Sequence, residues 1–437
     1  MNDLSQRFLG SGRPPAPPED DPRPRARAHR PGPFGVLDIG STKIVCFIGR
    51  VESDGVLRVL GAAHRQARGV RNGGIVDLDA AEQVIRKCVA EAENMADTHL
   101  RDVTVNLSCG APESRLFNVQ WPIGGRQVVA SDLRRIVAEG RARAASEGRE
   151  IIHNLPLTFA VDETGEISDP RGMYCEALSA RLHVIDATTT ALRNLTSCLA
   201  RVDLAIAELV SAPLASGLST LVADERELGA TLIDMGGGTT GIAVFADNEV
   251  QHTAVLAVGG MHVTNDIARL LTTPISHAER LKTLYGNVET SPDDEREYLP
   301  VPQVGEEHGQ IHKVPRSMVI SIIRPRLEET FEMVRDRLQS AGLARDIGQR
   351  VVLTGGACQL PGAREIAARV LGRPVRLGRP LTLRGLPDIM SGPGMATAAG
   401  LLAFAGGAGR GLADLDLDAE RPAGLLRRLI AFLRERV

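Results

Sequence analysis

The stretch FGVLDIGSTKIVCFIGRV, residues 34–51, decides the fold of this chain. Two apolar runs rich in β-branched residues flank the turn at residues 38–43, which predicts a buried strand, a tight turn and a second buried strand. The same pattern returns in GATLIDMGGGTTGIAVFADNEV, residues 229–250. This repeat predicts two similar α/β lobes that face a shared cleft.

Both turns have the chemistry of a site for a metal-bound polyphosphate. Glycine lets backbone N–H groups approach phosphate oxygens, and Ser and Thr hydroxyls add donors. Asp38 and Asp234 end the two first strands and can hold a hydrated Mg²⁺ ion, while Lys43 supplies positive charge. One such turn could equally be a plain hairpin, but the pair is reinforced by a third turn, TGGA at residues 354–357. Neither a P-loop nor a Rossmann fingerprint is present.

Length and composition indicate more than one packed unit. The chain has 437 residues, of which 43% are hydrophobic and 24% are charged, as in globular proteins of several units. The net charge of −3 gives no basic field, so no nucleic-acid partner is expected. Residues 1–33 are rich in Pro and Arg and are predicted to be a disordered tail. We see no apolar run long enough to span a bilayer.

The order of patterns along the chain predicts the domain organisation. A helix is expected over residues 79–96, with Asp79 as its N-cap. Between residues 109 and 180 the pattern is looser and broken by Pro and Gly, which indicates an inserted subdomain with a helix near residues 131–147. The predicted units are a first lobe at 34–108, continuing at 181–209 and 385–405, the insertion at 109–180, a second lobe at 210–384 with a small subdomain at about 253–314, and a linker at 406–422.

The last residues, AGLLRRLIAFLRERV at 423–437, have the pattern of an amphipathic helix. An apolar face lies opposite arginines, which is typical of a helix in the plane of an anionic membrane surface. A helix that docks on its own domain is the alternative, and the acidic linker before it favours the membrane. The residues predicted to meet the membrane are Leu425, Leu426, Arg427, Arg428, Leu429, Phe432 and Leu433.

The three turns together resemble those of the actin-like ATPase superfamily, in which two Asp-led hairpins hold phosphates and a Thr-Gly-Gly turn borders the adenosine. The resemblance implies that ATP and Mg²⁺ are bound, with the metal held through water by Asp38 and Asp234. The helix SHAERLKTLYG, residues 276–286, is similar to the one that contacts base and ribose, although Glu279 and Lys282 could instead form a surface ion pair. The implied binding residues are Asp38, Gly40, Ser41, Thr42, Lys43, Asp234, Gly236, Gly237, Gly238, Thr239, Thr240, Glu279, Lys282, Gly355 and Gly356.

Hydrolysis is less well supported by the resemblance than binding. The segment ELVSAPLASGLSTL, residues 208–221, is similar to the hinge between lobes. Glu208 lies where some relatives place a water-orienting residue, or else it only stabilises the hinge. Many relatives have an acidic residue after the second loop, where this chain has Gly241. We therefore expect at most a weak ATPase, in which ATP governs assembly.

Within the superfamily the chain is identified as a member of the FtsA family of bacterial cell-division proteins. The segments that carry this resemblance include GVRNGGIVDLDA at 69–80, AVGGMHVTNDIA at 257–268 and VVLTGGACQLPG at 351–362. FtsA also has an inserted subdomain that actin lacks. The resemblance implies a two-lobed actin-like (ribonuclease-H-like) α/β fold. It further implies a protein that self-assembles into filaments, tethers FtsZ polymers to the cytoplasmic face of the inner membrane at the division site, and recruits later division proteins.

The resemblance also implies where the FtsZ tail docks, namely the small subdomain of the second lobe. The matching stretch here contains Arg316 and the helix IIRPRLEETFEMV, with Arg324, Arg326 and Glu329, although a plain solvated helix face is the alternative. Two other functions stay open. One is a related scaffold such as the pilus-assembly protein PilM, against which the terminal helix argues. The other is a small-molecule kinase of the same superfamily, for which we find no convincing acceptor site.

Overall fold

The computed structural model describes residues 32–162, 164–305, 311–343 and 350–408. Within these ranges the chain forms two α/β lobes and an inserted subdomain. The predicted N-terminal tail up to residue 31, most of the predicted linker and the predicted terminal helix lie outside the described residues. In the part of the chain that is described, no helix combines the length and apolar character needed to cross a membrane.

The first lobe begins with a β-meander that carries the first Gly turn. In chain order its elements are β1 (Phe34–Ile39), β2 (Lys43–Val51), β3 (Leu57–Gln66), the short hairpin β4 (Val70–Arg71) and β5 (Gly74–Ile75), α1 (Leu78–Ala96) and β6 (Asp102–Leu107). Every residue of β1 is buried, which is why its sequence is almost entirely apolar. Helix α1 is capped by Asp77, whose side chain accepts from the N–H of Ala80, and not by Asp79 as predicted.

The insertion is a four-stranded antiparallel sheet with one helix. Its elements are β7 (Glu113–Gln127), α2 (Ala130–Ala144), β8 (Arg149–Val161), β9 (Thr164–Ile167) and β10 (Tyr174–Thr188), and the strand order is β7-β10-β8-β9. Strand β10 continues past the predicted boundary at residue 180. It does so because its pairing with β8 runs on to Thr188.

The chain then completes the first lobe and builds the second. The remaining elements are α3 (Thr189–Ala200), β11 (Ala205–Ser211), α4 (Ala212–Thr220), α5 (Ala223–Leu228), β12 (Ala230–Met235), β13 (Thr240–Ala246), β14 (Glu249–Leu256), α6 (Gly260–Leu270), α7 (Ile275–Tyr285), β15 (Tyr298–Pro302), β16 (Ile311–Pro315), α8 (Arg316–Ser340), β17 (Arg350–Thr354), α9 (Ala363–Leu371), β18 (Val375–Leu377) and α10 (Ala396–Ala405). The two lobe sheets have the orders β11-β6-β1-β2-β3 and β18-β17-β12-β13-β14.

The two sheets have the same topology. In each, an antiparallel meander of three strands is extended on one side by two parallel strands. The repeated strand-turn-strand pattern therefore marks two related lobes, as predicted. Equivalent strands place the two Gly turns at equivalent edges of the sheets, so that both face the cleft.

Helices α4 and α10 cross closely where the lobes join. A side-chain carbon built on Gly400 would lie 1.7 Å from the carbonyl oxygen of Ala215, so the crossing requires glycine there. Around this contact a buried cluster combines side chains of both lobes, including Phe47 and Phe245. The crossing is therefore the packed support beneath the cleft.

Candidate functional site

The two Gly turns are closed by the same hydrogen bond. The N–H of Gly40 donates to the carbonyl oxygen of Lys43 at 3.0 Å, and the N–H of Gly236 donates to that of Thr239 at 2.9 Å. Each turn joins the first two strands of its meander, β1 to β2 and β12 to β13. We call residues 40–43 the first loop and residues 236–239 the second loop.

The two loops touch each other across the cleft. A carbon added to Gly237 would lie 2.3 Å from Cγ2 of Thr42, and one added to Gly238 would lie 2.4 Å from Oγ of Ser41. Real carbon atoms do not approach so closely, so glycine is required at both positions by contact. The backbone N–H groups and hydroxyls of the two loops thereby converge on one small space.

Two buried carboxylates lie beneath the loops. Burial raises the pKa of Asp38 to about 7, with a further upward effect from Asp234 and a downward one from Lys43. Burial also raises the pKa of Asp234, although hydroxyl groups of Ser216 and Thr397 that bond to it oppose the shift. The pKa of Lys43 is lowered by burial and held up by the two aspartates. A divalent cation held by both aspartates would remove the cost of burying them.

Helices α4 and α10 supply the hydroxyls that hold Asp234. Ser216 donates to Oδ2 of Asp234, and Thr397 donates to the same oxygen at 3.0 Å. Neither residue was predicted as part of the site: Ser216 lies in the segment predicted to be the hinge, and Thr397 lies in a helix with no motif of its own. They fix one carboxylate oxygen of Asp234 and leave the other toward the third turn.

The third turn closes the site from the second lobe. Gly355 has a φ of 86°, which favours glycine, and its N–H donates to the carbonyl oxygen of Pro393 at 3.2 Å. A carbon on Gly355 would lie 2.3 Å from Oδ1 of Asp234, and one on Gly394 would lie 2.4 Å from Nζ of Lys43. The segment at Pro393 and Gly394 was also missed, because nothing in its sequence marks it.

Two adjoining cavities fill the cleft. The smaller, of about 90 Å³, is lined by both loops, both aspartates and Lys43. The larger, of about 450 Å³, lies between α6, α7, α8 and the third turn. Thr42, Gly237 and Gly356 line both cavities. The pair therefore has the form of a small, polar compartment that opens into a larger and more apolar one.

Glu279 and Lys282 both lie in the wall of the larger cavity. Their side chains form an ion pair at 2.7 Å, and Nζ of Lys282 also donates to the carbonyl oxygen of Gly260 at 3.1 Å and to Oγ1 of Thr264 at 2.9 Å. These bonds hold Lys282 between α6 and α7. The pair is therefore part of the cavity wall as well as an ion pair.

Two predicted residues do not line either cavity. Glu208 lies in β11, beside a bulge in its pairing with β6. Thr240 is fully buried, and its hydroxyl donates to the carbonyl oxygen of Val258 at 2.8 Å. Thr240 therefore ties β13 to the chain before α6, and the structure gives no support to a phosphate contact from its side chain.

The four residues predicted to meet a partner lie along α8, and all are in ion pairs. Arg316 lies within 3.3 Å of Asp294 and 3.2 Å of Glu297. Arg324 bonds Glu328 at 3.0 Å, while Arg326 bonds Asp266 at 2.6 Å and also Glu329. The pairing of Arg326 with α6 was not predicted, since Asp266 is far away in sequence. The residues predicted to meet the membrane lie outside the described residues.

Comparison with known families gives two matches. The model described as Cell division protein FtsA matches residues 231–400, and the model described as SHS2 domain inserted in FTSA matches residues 110–186. The second match covers nearly the extent of β7 to β10 in the structure.

Comparison with individual proteins extends the match to most of the chain. The chain is 44% identical over 398 residues to the Cell division protein FtsA of Rhizobium meliloti (strain 1021), covering 89% of each chain. It is 31% identical over 375 residues to that of Escherichia coli (strain K12), covering 84% of this chain and 89% of that one.

Solved structures show the same fold at lower identity. The PilM-PilN type IV pilus biogenesis complex gives a TM-score of 0.61 at 19% identity, covering 85% of this chain and 98% of that chain. MreB5 of Spiroplasma citri bound to ADP gives 0.51 at 13% identity, covering 85% and 95%. These likenesses confirm the actin-like fold.

Proposed function

The chain belongs to the FtsA family of cell-division proteins in the actin-like ATPase superfamily, and we propose that it binds ATP with Mg²⁺ in its cleft and links FtsZ polymers to the membrane. The observation that carries the nucleotide part is the convergence of the two loops over two buried carboxylates and Lys43. The 44% identity to an FtsA protein, against 19% to the PilM complex, favours this function over the pilus scaffold.

The two cavities suit the two parts of ATP. Backbone N–H groups and hydroxyls of the loops can donate to phosphate oxygens, and Lys43 balances their charge. The larger cavity has apolar walls from Met261, Val263 and Leu360 together with the polar pair Glu279 and Lys282, as a nucleoside pocket requires. The phosphate chain would then run past Thr42 and Gly237, which line both cavities.

The residues present also fit Mg²⁺. Asp38 and Asp234 are oxygen ligands of the kind that Mg²⁺ takes through water, and burial raises the pKa of each, so a cation bound nearby would stabilise their ionised forms. Mg²⁺ bound here would balance charge on the phosphates and orient them. Asp38 must be ionised for this role, so its proton has to leave when the metal binds.

We expect the gain in ATP affinity from Mg²⁺ to rise by about 10-fold between pH 6 and pH 8, because Asp38, with a pKa of about 7, is mostly protonated at the lower pH and mostly ionised at the higher. Titration calorimetry with and without Mg²⁺ measures this gain at each pH. ATP itself also titrates in this range. The control is therefore Asp38→Asn, whose pH profile reflects the titration of the nucleotide without that of Asp38. A parent profile that coincides with that of Asp38→Asn would contradict the assignment.

In the part of the chain that is described, the site has clear candidates for binding ATP but none for catalysing its hydrolysis. Among the described residues, the titratable side chains that line the smaller cavity are Asp38, Lys43 and Asp234, all of which have binding roles. Many relatives have an acidic residue at the position of Gly241. Here a carbon on Gly241 would lie 2.7 Å from Cγ of Pro213, so an acidic side chain does not fit. We therefore propose that ATP governs self-assembly into filaments, with weak hydrolysis at most.

We place the FtsZ tail on α8 and propose that membrane attachment comes from the terminal helix. The support from the described residues is the set of arginines along α8, of which Arg324 is partly exposed beside Glu328. The carboxylates of an acidic tail could replace the protein's own carboxylates as partners of such arginines. Charge at the edge of an interface acts mainly on the association rate. Attachment at the cytoplasmic face of the inner membrane, at the division site, and recruitment of later division proteins belong to the same proposal.

We expect Arg324→Glu to weaken binding of an FtsZ tail peptide by about 10-fold at low salt, through slower association, because it reverses one charge of the docking face. Surface plasmon resonance at two salt concentrations measures both rates. Arg369→Glu is the matched control, since Arg369 also pairs with Glu328 but comes from α9. Equal effects of the two substitutions would show that only the loss of the Glu328 pair matters, and the tail would bind elsewhere.

A further inference from the structure

The inserted subdomain also contacts the second lobe, although it is inserted in the first. The N–H of Thr253 in β14, an edge strand of the second-lobe sheet, donates to Oγ of Ser114 in β7 at 3.1 Å. Oγ of Ser114 lies 2.6 Å from Nε2 of His183 in β10. On β8, Nε2 of His153 accepts at 3.0 Å from the N–H of Ser211, which ends β11 of the first-lobe sheet just before the chain enters α4. We call these residues, with His252, the histidine junction.

The histidine junction is unusually poor in satisfied polar groups. Among the described residues, five buried side-chain atoms lack a hydrogen-bond partner, and three of them, Nδ1 of His183, Oγ of Ser211 and Nε2 of His252, lie in this junction. The other two, on Arg115 and Asn154, belong to the same subdomain sheet. Each such atom costs about 1–3 kcal/mol. The closed junction therefore leaves several buried polar groups without hydrogen bonds, which lowers its stability.

The base of the subdomain, where its chain joins the first lobe, is braced by hydrogen bonds and ion pairs of its own. Asp186, which is 1% exposed, pairs with Arg115 and with Arg149 at 2.6 Å. Arg149 also donates to the carbonyl oxygen of Ala111 at 2.8 Å, and the N–H of Thr188 donates to that of Gly110 at 3.0 Å. These bonds lie where β7 and β10 meet the lobe. The well-bonded base and the poorly satisfied histidine junction therefore lie at different places on the subdomain.

We propose that the inserted subdomain is a releasable arm, fixed to the first lobe at its base and held to the second lobe by a histidine junction that stays closed only while its imidazoles are neutral. Protonated His183 would carry a hydrogen on both ring nitrogens, so Nδ1 would hold one for which the described residues offer no acceptor, and the ring would place a charge in a fully buried site. Release would expose β14 and free the arm to reorient.

The groups that surround the two histidines cannot compensate a positive charge. His183 faces His153 of β8, His252 of β14 and Arg181 of its own strand, while His252 faces Arg337 of α8. From β7 the neighbours are Ser114 and Arg115, and Asp186 of β10 is already paired with two arginines. The described groups around the junction are therefore neutral or cationic, apart from a carboxylate already in use.

The sign of the pH effect follows from the burial of the imidazoles. Burial, together with smaller effects of neighbouring histidines and arginines, lowers the pKa of His183 to about 3 and that of His252 to about 4. The neutral forms are therefore favoured in the closed junction, whereas after release the pKa values of His183 on the arm and His252 on β14 return toward about 6.5. Closure is fully stable above that pH and weakens as the pH falls, by about 100-fold at pH 5.5 for two histidines.

A natural fluorophore in the subdomain can report this motion. Trp121 is the single tryptophan, and it packs against the buried cluster of the subdomain, so its rotation reports that of the arm. Time-resolved fluorescence anisotropy of the full chain at pH 7.5 should show one slow decay. At pH 5.5 a faster component should appear, with unchanged far-ultraviolet circular dichroism.

Paired substitutions separate the junction from other titrating groups. His183→Gln with His252→Gln removes both titrations, and Gln can keep the bond to Ser114, so the faster component should disappear at pH 5.5. His99→Gln is the matched control, since His99 is 87% exposed, and it should respond as the parent does. An acid response of the double variant equal to that of the parent would overturn the proposal.

A second measurement needs no substitution. Hydrogen exchange of β14, corrected for the intrinsic effect of pH, should increase at pH 5.5 relative to pH 7.5, because the N–H of Thr253 loses its bond to Ser114. Unchanged exchange of β14 together with unchanged anisotropy in the parent would overturn the proposal. These readouts do not involve nucleotide, so they stand apart from the success or failure of the proposed ATP site.

Discussion

Gly237→Val should reduce ATP affinity by about 100-fold or more, because the loss of two hydrogen bonds to charged phosphate oxygens costs about 3–6 kcal/mol. The first side-chain carbon would lie 2.3 Å from Cγ2 of Thr42, so the two loops must separate. Since Thr42 and Gly237 line both cavities, their separation also disturbs the passage between phosphates and nucleoside. Titration with a fluorescent ATP analogue measures the loss.

A matched glycine separates this effect from the general cost of a β-branched residue. Gly165 lies in β9, far from the cleft in the fold, and has no atom within 4 Å of an added carbon. Gly165→Val should therefore bind ATP as the parent does. Asp234→Ala should resemble Gly237→Val, because it removes a proposed ligand of Mg²⁺. Unchanged affinity in both cleft variants, with folding intact, would show that the nucleotide binds elsewhere.

The parts of the site that could be predicted from sequence are those built from contiguous residues. In each loop a strand, an aspartate and its glycines follow one another, so the letters alone describe the turn and its chemistry. The repeat of that pattern predicted two lobes, and the equal topology of their sheets confirms it. The third turn was also visible in the sequence, and family resemblance added the helix with Glu279 and Lys282. Both line the larger cavity.

The parts that sequence could not predict depend on packing between distant elements. Ser216 and Thr397 reach Asp234 from two helices that are far apart in the chain but cross beneath the cleft. Gly394 approaches Lys43 only because the turn before α10 lies over the third turn. The cap of α1 was misplaced for a local reason. Two aspartates lie near the helix start, and the bonds of Val76 and Asp77 to the carbonyl oxygen of Gly69 select Asp77.

Removal of residues 425–437 should release the protein from membranes and leave ATP binding intact. Seven apolar side chains lie on one face of the predicted helix, namely Leu425, Leu426, Leu429, Ile430, Phe432, Leu433 and Val437. Full burial of a Leu- or Phe-sized side chain stabilises by about 1.5–3 kcal/mol. Only part of each enters the boundary of the bilayer, and the helix must also become ordered, so a single helix binds moderately. Co-sedimentation with lipid vesicles measures the loss.

Self-assembly would then strengthen attachment by presenting many helices at once, which links the nucleotide site to the membrane. Two single substitutions separate the two kinds of contact. Phe432→Glu should abolish binding to all vesicles, because it places a charge in the apolar face. Arg427→Glu should weaken binding mainly to anionic vesicles and mainly at low salt, since each arginine near such a surface adds about 1 kcal/mol that salt screens. If Phe432→Glu sediments with vesicles as the parent does, the helix docks on protein, and attachment must come from another part of the chain.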